Sequence, residues 1–182
     1  PLIKVNLGID NIRLLSKLES HNLTGSIKDR MAFYMLKKEK QKYLLKKGST
    51  IIEATTENTG ISFAALSSIL GYKMIAVMPE NMSAERMKIL KLYGAKIILT
   101  PKAKGPIGAI EKRDKLAQSI SNSWVPDQFS NSDNTEAHEK GIVKEILAQF
   151  QGKIDYFVHG IGTGGSFMGI AKVLKQKMPD IK

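Results

Sequence analysis

The chain has 182 residues, 42% hydrophobic and 25% charged, with a net charge of +11 and no cysteine. That balance fits one or two globular domains with a real core, and it excludes disulfides, thiolate catalysis and zinc–thiolate sites. No apolar run reaches the ~18 residues of a membrane span, and the lysines are dispersed, so neither membrane nor nucleic acid is an expected partner. Even the densest basic run, KKEKQKYLLKKG at 37–48, is interrupted by Glu39 and apolar residues and reads as a solvated helix face. The opening PLIKVNLG has no basic head, no leader cleavage site and no initiator Met. A cytoplasmic protein whose native start lies upstream is therefore expected.

In chain order, strands are predicted at 2–6 and 11–19, followed by a helix over 27–46. Ile27, Met31, Tyr34 and Met35 give that helix its apolar spacing, and Gly48 can end it. A strand at 49–54 precedes GISFAALSSIL (60–70), apolar on most sides and hence a buried helix. A strand at 73–78 leads to a helix at 83–93, capped by Ser83, with Glu85 in its first turn and Gly94 after it. A strand at 95–100, a GPIG loop (105–108) and an amphipathic helix at 106–121 follow. NSDN (131–134) reads as a loop before a helix at 135–150, a strand at 154–160 and a last helix at 166–178. Trp124 and the methionines are assigned to packing. Alternating strands and helices imply a parallel sheet covered on both faces, with ligands at the carboxyl ends of the strands. A parallel sheet ending just after a helix would be small and uneven, so the chain is expected to be a fragment.

Three segments carry candidate chemistry. In HNLTGSIKDRM (21–31), Ser26 and Asp29 form an S-x-x-D capping box. Lys28 then falls in the first helical turn, where the dipole and partial desolvation both disfavour its ammonium form. Two readings stand: a surface lysine snorkelling into water, or a neutral amine poised for an imine. GIGTGGSFMG (160–169) joins a strand to a helix, and Gly162, Thr163, Gly164, Gly165 and Ser166 could wrap a phosphate monoester. A dinucleotide fingerprint through Gly160, Gly162 and Gly165 is the alternative, but it lacks the acidic residue further on. EATTENTGIS (53–62) offers Thr55, Thr56, Asn58 and Thr59 as donors to a carboxylate, with ordinary helix capping by Thr59 or Asn58 as the alternative. His21, His138 and His159 show no metal-ligand spacing and read as structural; no metal site is expected.

Together these segments resemble the cysteine synthase (O-acetylserine sulfhydrylase) family of fold-type II pyridoxal-phosphate enzymes. NLTGSIKDRMA is similar to that family's N-P-x-G-S-x-K-D-R, EATTENTGIS to E-P-T-S-G-N-T-G-I, and MPENMSAERMKILKLYGAKIILT to its M-P-x-x-M-S-x-E-R…G-A stretch. DQFSNSDNTEAHEKG resembles Q-F-x-N-x-x-N…H, and GTGGS the G-T-G-G-T phosphate loop. EATTENTGISFAA with GPIGAIEK also resembles a branch with lanthionine synthases and hydrogen-sulfide-forming cysteine lyases. The resemblance implies two doubly wound α/β domains of the tryptophan synthase β-like type: a smaller one at about 30–127, and a larger cofactor-binding one, incomplete here, from 1–29 and 128–182.

It further implies that Lys28 forms the internal aldimine with pyridoxal 5′-phosphate and later removes the substrate's α-proton. Asn58 would bond the cofactor's 3′ oxygen, Gly162, Thr163, Gly164, Gly165 and Ser166 its phosphate, and Thr55, Thr56, Thr59 and Gln128 the substrate carboxylate. The reaction implied is β-replacement on a serine-type amino acid, O-acetylserine plus sulfide giving cysteine through an aminoacrylate. Cysteine lyase, lanthionine synthase or serine/threonine dehydratase chemistry, or an inactive homologue, are the alternatives. A homodimer is implied, as is, for some members, binding of the serine acetyltransferase tail. Glu57 departs from the pattern: it replaces a glycine in the substrate loop, where an anion would repel a carboxylate. GIVKEI (141–146) replaces T-G-P-E-I, so Gly141 is expected to break or kink its helix.

Overall fold

The computed structural model describes residues 1–42 and 44–182, and the chain divides into two compact units. One comprises Pro1–Met31 with Ser132–Lys182; the other is Ala32–Asn131.

The second unit is a layered α/β structure. Strands β3 (Thr50–Ala54), β4 (Lys73–Pro79), β5 (Lys96–Thr100) and the short β6 (Ser123–Trp124) form one parallel sheet in the order β5-β4-β3-β6. All five residues of β3 are buried, as a strand covered on both faces requires. Side chains alternate between faces. Ile52, Ala54, Ile75 and Val77 pack with Ala109 of α4 (Gly105–Ser119). On the opposite face, Trp124 pairs in register with Ile51 and meets Phe63 of α2 (Asn58–Leu70) edge-on, with ring centroids 6.2 Å apart. Helix α3 (Ala84–Leu92) begins as the sequence predicts, the Ser83 hydroxyl accepting the Arg86 N–H at 3.3 Å.

The first unit holds an antiparallel pair, β1 (Leu2–Val5) and β2 (Leu14–Lys17), and three helices: α5 (Asp133–Lys140), α6 (Ile142–Gln149) and α7 (Gly165–Lys177). Ile142, Val143, Ile170, Leu174 and Ile181 form its core, and Ile27 packs against them. Each such aliphatic side chain contributes about 2 kcal/mol of burial. Helix α1 (Lys28–Gln41) gives its first turn to this unit and the rest to the other. Helices α5 and α7 cross closely at Gly169, where a β-carbon would lie 2.5 Å from the Thr135 carbonyl oxygen.

Five expectations change. Helix α1 stops at Gln41 rather than 46, because the Lys46 N–H is taken by the Ser49 hydroxyl at 2.9 Å. Tyr43, inside the predicted helix, lies outside the described residues. GPIG opens α4 instead of forming a loop, its proline sitting in the first turn where no N–H is needed. Asp133 and Asn134, also read as loop, begin α5. The helix predicted over 135–150 is two helices. Gly141 leaves helical geometry (φ −110°, ψ −97°), and a side chain there would strike the Ala137 carbonyl oxygen at 2.7 Å.

The strand expected at 154–160 is absent, because a strand exists only with neighbours. One rung is formed: the Phe157 N–H donates to the Lys182 carbonyl at 2.8 Å, and the Lys182 N–H to that of Asp155 at 2.9 Å. Tyr156 and Val158 stay exposed. Among the described residues no helix is long and apolar enough to cross a membrane.

Candidate functional site

Each unit carries part of the expected set. In the first, Lys28 opens α1. Its backbone N–H donates to the Ser26 hydroxyl at 3.1 Å, so Ser26 caps the helix as its sequence position predicts. Asp29 does not complete the box. Its carboxylate turns back to Thr24, accepting from the backbone N–H at 2.7 Å and the hydroxyl at 2.6 Å. This buried carboxylate closes the Thr24–Ser26 turn that leads into Lys28.

The Lys28 side chain is half-buried, and that burial lowers its pKa from the ordinary lysine value. Among the described residues no carboxylate lies within ion-pair distance of its amine. Arg30, two residues later, is fully engaged. Burial works against its charge, but the hydrogen bonds it donates to the Glu145 and Glu19 carboxylates outweigh that and raise its pKa.

The predicted phosphate loop ends at α7. Gly164, the N-cap, is left-handed (φ 86°) and supplies no side-chain cap, so ligand oxygens can serve the first-turn N–H groups. Space beside Gly162 and Gly160 is open. Gly165 answers a different need: a β-carbon there would run into the Asn134 side chain. Asn134 Nδ2 donates to the Thr163 hydroxyl at 3.0 Å, fixing the middle of the loop from α5. Ser166 is buried in the first turn of α7. The sequence reading assigned Asn134 no role, although it stands in the quoted DQFSNSDNTEAHEKG segment. A buried asparagine is legible only once its partner is known.

His138, one turn after Asn134, is fully buried, and its Nδ1 has no hydrogen-bond partner among the described residues. Burial, then the charges of Lys28 and Arg30, press its pKa down to about 4, so it is neutral. Gly162, Thr163, Gly164, Gly165, Ser166 and Lys28 thus share one unit, with Ile27 and α7 in one core.

The second unit holds the donor loop. Thr55 follows β3, and its hydroxyl oxygen accepts the N–H groups of Glu57 at 3.3 Å and Gly60 at 3.0 Å. Thr55 therefore caps α2, a task the sequence allotted to Asn58 or Thr59. Gly60 admits this close approach, since a β-carbon would meet the Thr55 side chain. Thr59, buried in the first turn of α2, donates its hydroxyl hydrogen to Gln128 Oε1 at 2.6 Å. Thr55, Thr59 and Gln128 are thus brought together, 69 positions apart for the last pair. Thr56 is half-buried and Asn58 exposed. Glu57 points to Arg86 of α3, its Oε1 3.1 Å from Nη1, both side chains well exposed.

The donor set fits pyridoxal phosphate. An open helix N-terminus suits a phosphate dianion, and a desolvated amine with no carboxylate partner among the described residues suits an aldehyde. Among the described residues no cluster of three metal-ligating side chains occurs.

A family model described as pyridoxal-phosphate dependent enzyme matches residues 1–182. A cysteine synthase of Flavobacterium sp. is 49% identical over the whole chain, which covers 60% of that protein. A hydrogen sulfide-producing enzyme from Fusobacterium nucleatum superposes with a TM-score of 0.88 at 49% identity, over 93% of this chain and 52% of that one. An O-ureido-L-serine synthase gives 0.96 at 34% identity, over the whole chain and 58% of that structure. The chain spans about 60% of the length of the curated relatives it matches.

Proposed function

The chain belongs to the pyridoxal-phosphate dependent enzymes, in the cysteine synthase family of fold type II with its two α/β subdomains, and from that premise we propose β-replacement on a serine-type amino acid. O-acetylserine plus sulfide, giving cysteine, is the reaction assigned. On this reading the smaller domain runs over about 30–127, close to the unit Ala32–Asn131 that includes Gln128, and the flanking segments are part of the cofactor-binding one.

The cofactor, when bound, supplies an electron sink for the α-carbon. Lys28 holds it and takes the α-proton at Nζ; the amine must be neutral to do so, and burial favours that form. Gly162, Thr163, Gly164, Gly165 and Ser166 bind its phosphate, and Asn58 its 3′ oxygen. Thr55, Thr56, Thr59 and Gln128 orient the substrate carboxylate. Glu57, drawn to Arg86, spares that carboxylate a repulsive neighbour.

One observation carries the reading: a half-buried lysine at a helix start with no carboxylate beside it among the described residues. The test adds pyridoxal phosphate to the purified chain, reduces with borohydride and maps the adduct by peptide mass. A visible absorbance band and an adduct on Lys28 are expected. Lys28→Ala should lose both while keeping its unfolding midpoint; an adduct elsewhere, or none, overturns the assignment.

A second reading, cysteine lyase or lanthionine synthase chemistry, draws support from the likeness to the hydrogen sulfide-producing enzyme. Product analysis with O-acetylserine, cysteine and serine separates the two.

A further inference from the structure

Strand β3 reads Thr-Ile-Ile-Glu-Ala, and its glutamate is wholly buried. A buried carboxyl in a strand is destabilising unless its oxygens are satisfied. Glu53 Oε2 accepts the backbone N–H of Asp127 at 2.8 Å, while Oε1 has no hydrogen bond among the described residues. Arg113 of α4, also buried, lies 3.8 Å from Oε1 and donates from Nη1 to Asp127 Oδ1 at 3.1 Å.

Asp127 itself is strained, with φ +50°, a left-handed conformation unfavourable to a residue with a side chain. It persists because it is held at three points. Glu53 takes its N–H, Arg113 its carboxylate, and the N–H groups of Ser130 and Asn131 its carbonyl, at 3.1 and 2.9 Å. The next residue is Gln128, whose side chain meets Thr59. Glu53 is also the penultimate residue of the strand that runs into Thr55. Both sides of the donor loop are thus anchored to one carboxyl.

We infer that Glu53, Arg113 and Asp127 form a positioning brace that sets Gln128 against Thr59 and so fixes affinity for the amino-acid carboxylate. The inference rests on the proposed role of that loop. None of the three touches the reacting atoms; they act through Gln128. A hydrophobic residue at position 53 would pack more cheaply, and burial pushes the Glu53 carboxyl up to about 8. The brace accounts for keeping a glutamate there.

The test measures two affinities on cofactor-loaded protein: for pyridoxal phosphate, by dilution, and for L-serine, by the change in cofactor absorbance. Glu53→Leu should weaken L-serine binding by about tenfold or more, as small misplacements of positioning groups do, with cofactor affinity unchanged. Glu53→Gln keeps an acceptor for the Asp127 N–H and should restore wild-type values. If Glu53→Leu does not fold, Asp127→Gly relieves the backbone strain and removes the Arg113 contact; L-serine affinity should again fall while cofactor affinity holds. Unchanged L-serine affinity in the folded variants, or failure of Glu53→Gln to rescue, overturns the brace. Absence of cofactor binding in the wild type overturns the proposed function instead. Hydrogen exchange then judges the brace alone: the Asp127 amide should lose protection in Glu53→Leu, and retained protection overturns it.

Discussion

Arg30 grips Glu145, 115 positions further along the chain, through Nη1 at 2.6 Å and Nη2 at 2.9 Å, while Nε and Nη2 hold Glu19 at 2.5 and 2.9 Å. One guanidinium joins the start of α1, the turn after β2 and helix α6. Such forked pairs exploit the planar geometry of arginine. Arg30→Met should destabilise the first unit by about 2 kcal/mol, since charged hydrogen bonds are lost and two carboxylates are left facing each other. Arg30→Lys keeps the charge but not the fork, and should recover less than half of that. Urea unfolding of the three proteins measures it; full recovery by lysine would show that charge alone matters.

Stability should be nearly level between about pH 4.5 and 6.5, where the buried His138 and Glu53 oppose each other, and fall on both sides for opposite reasons. Burial holds the Glu53 proton up to about pH 8, whereas an unfolded glutamate releases it near 4.5. Between those values the folded state binds the extra proton, so raising the pH favours unfolding. Hydrogen bonds from Arg30, then Lys17, lower the Glu145 carboxyl to about 2. Its stabilising contribution is complete above 4.5 and is lost as pH falls toward 2. Because Glu145 is partly exposed, its own share of the acid limb is small, and the buried His138, which must charge as pH falls toward 4, adds to that limb. Thermal melts from pH 3 to 9 should show both limbs, with Glu53→Gln flattening only the alkaline one and Glu145→Gln only the acid one.

Gly169→Ala should cost about 1–3 kcal/mol, the usual penalty for overfilling a close contact. Its new β-carbon would lie 2.5 Å from the Thr135 carbonyl oxygen and 2.9 Å from the His138 β-carbon. Gly160→Ala meets nothing within 4 Å and should leave the unfolding midpoint unchanged. Equal midpoints for the two variants would mean that α5 and α7 yield without strain.

The Glu57–Arg86 pair should couple weakly. Both side chains are well exposed, and such pairs contribute about 0–1 kcal/mol. A double-mutant cycle with Glu57→Ala and Arg86→Ala gives the value directly. A coupling well above 1 kcal/mol would indicate that the pair stiffens the loop.

Legibility from sequence followed the range of the interactions. Helices α2, α3 and α7 and strands β3 to β5 were readable because their signals are local: apolar spacing, a serine cap, a terminal glycine. Gly141 was likewise legible as a break. The capping of α2 by Thr55 was not, because the four threonine and asparagine side chains within 55–59 offer equal local chemistry and only the backbone path chooses among them. Asp29 was misassigned for a related reason, since its better partner, Thr24, lies upstream of the helix. The 154–160 segment has every local mark of a strand; what it lacks is neighbours, a property of other parts of a sheet. Asn134, Glu53 and Gln128 act across 29, 74 and 69 positions, distances over which a single sequence carries no pairing signal.

The one tryptophan of the chain belongs to the second unit, in β6, with its ring against Phe63. Its emission is therefore a private optical reporter of Ala32–Asn131, whereas helical circular dichroism also records α5, α6 and α7. Unfolding curves from the two signals superimpose only if the units melt together. Where they part, the gap between the curves reads out how independently each half of the chain stands.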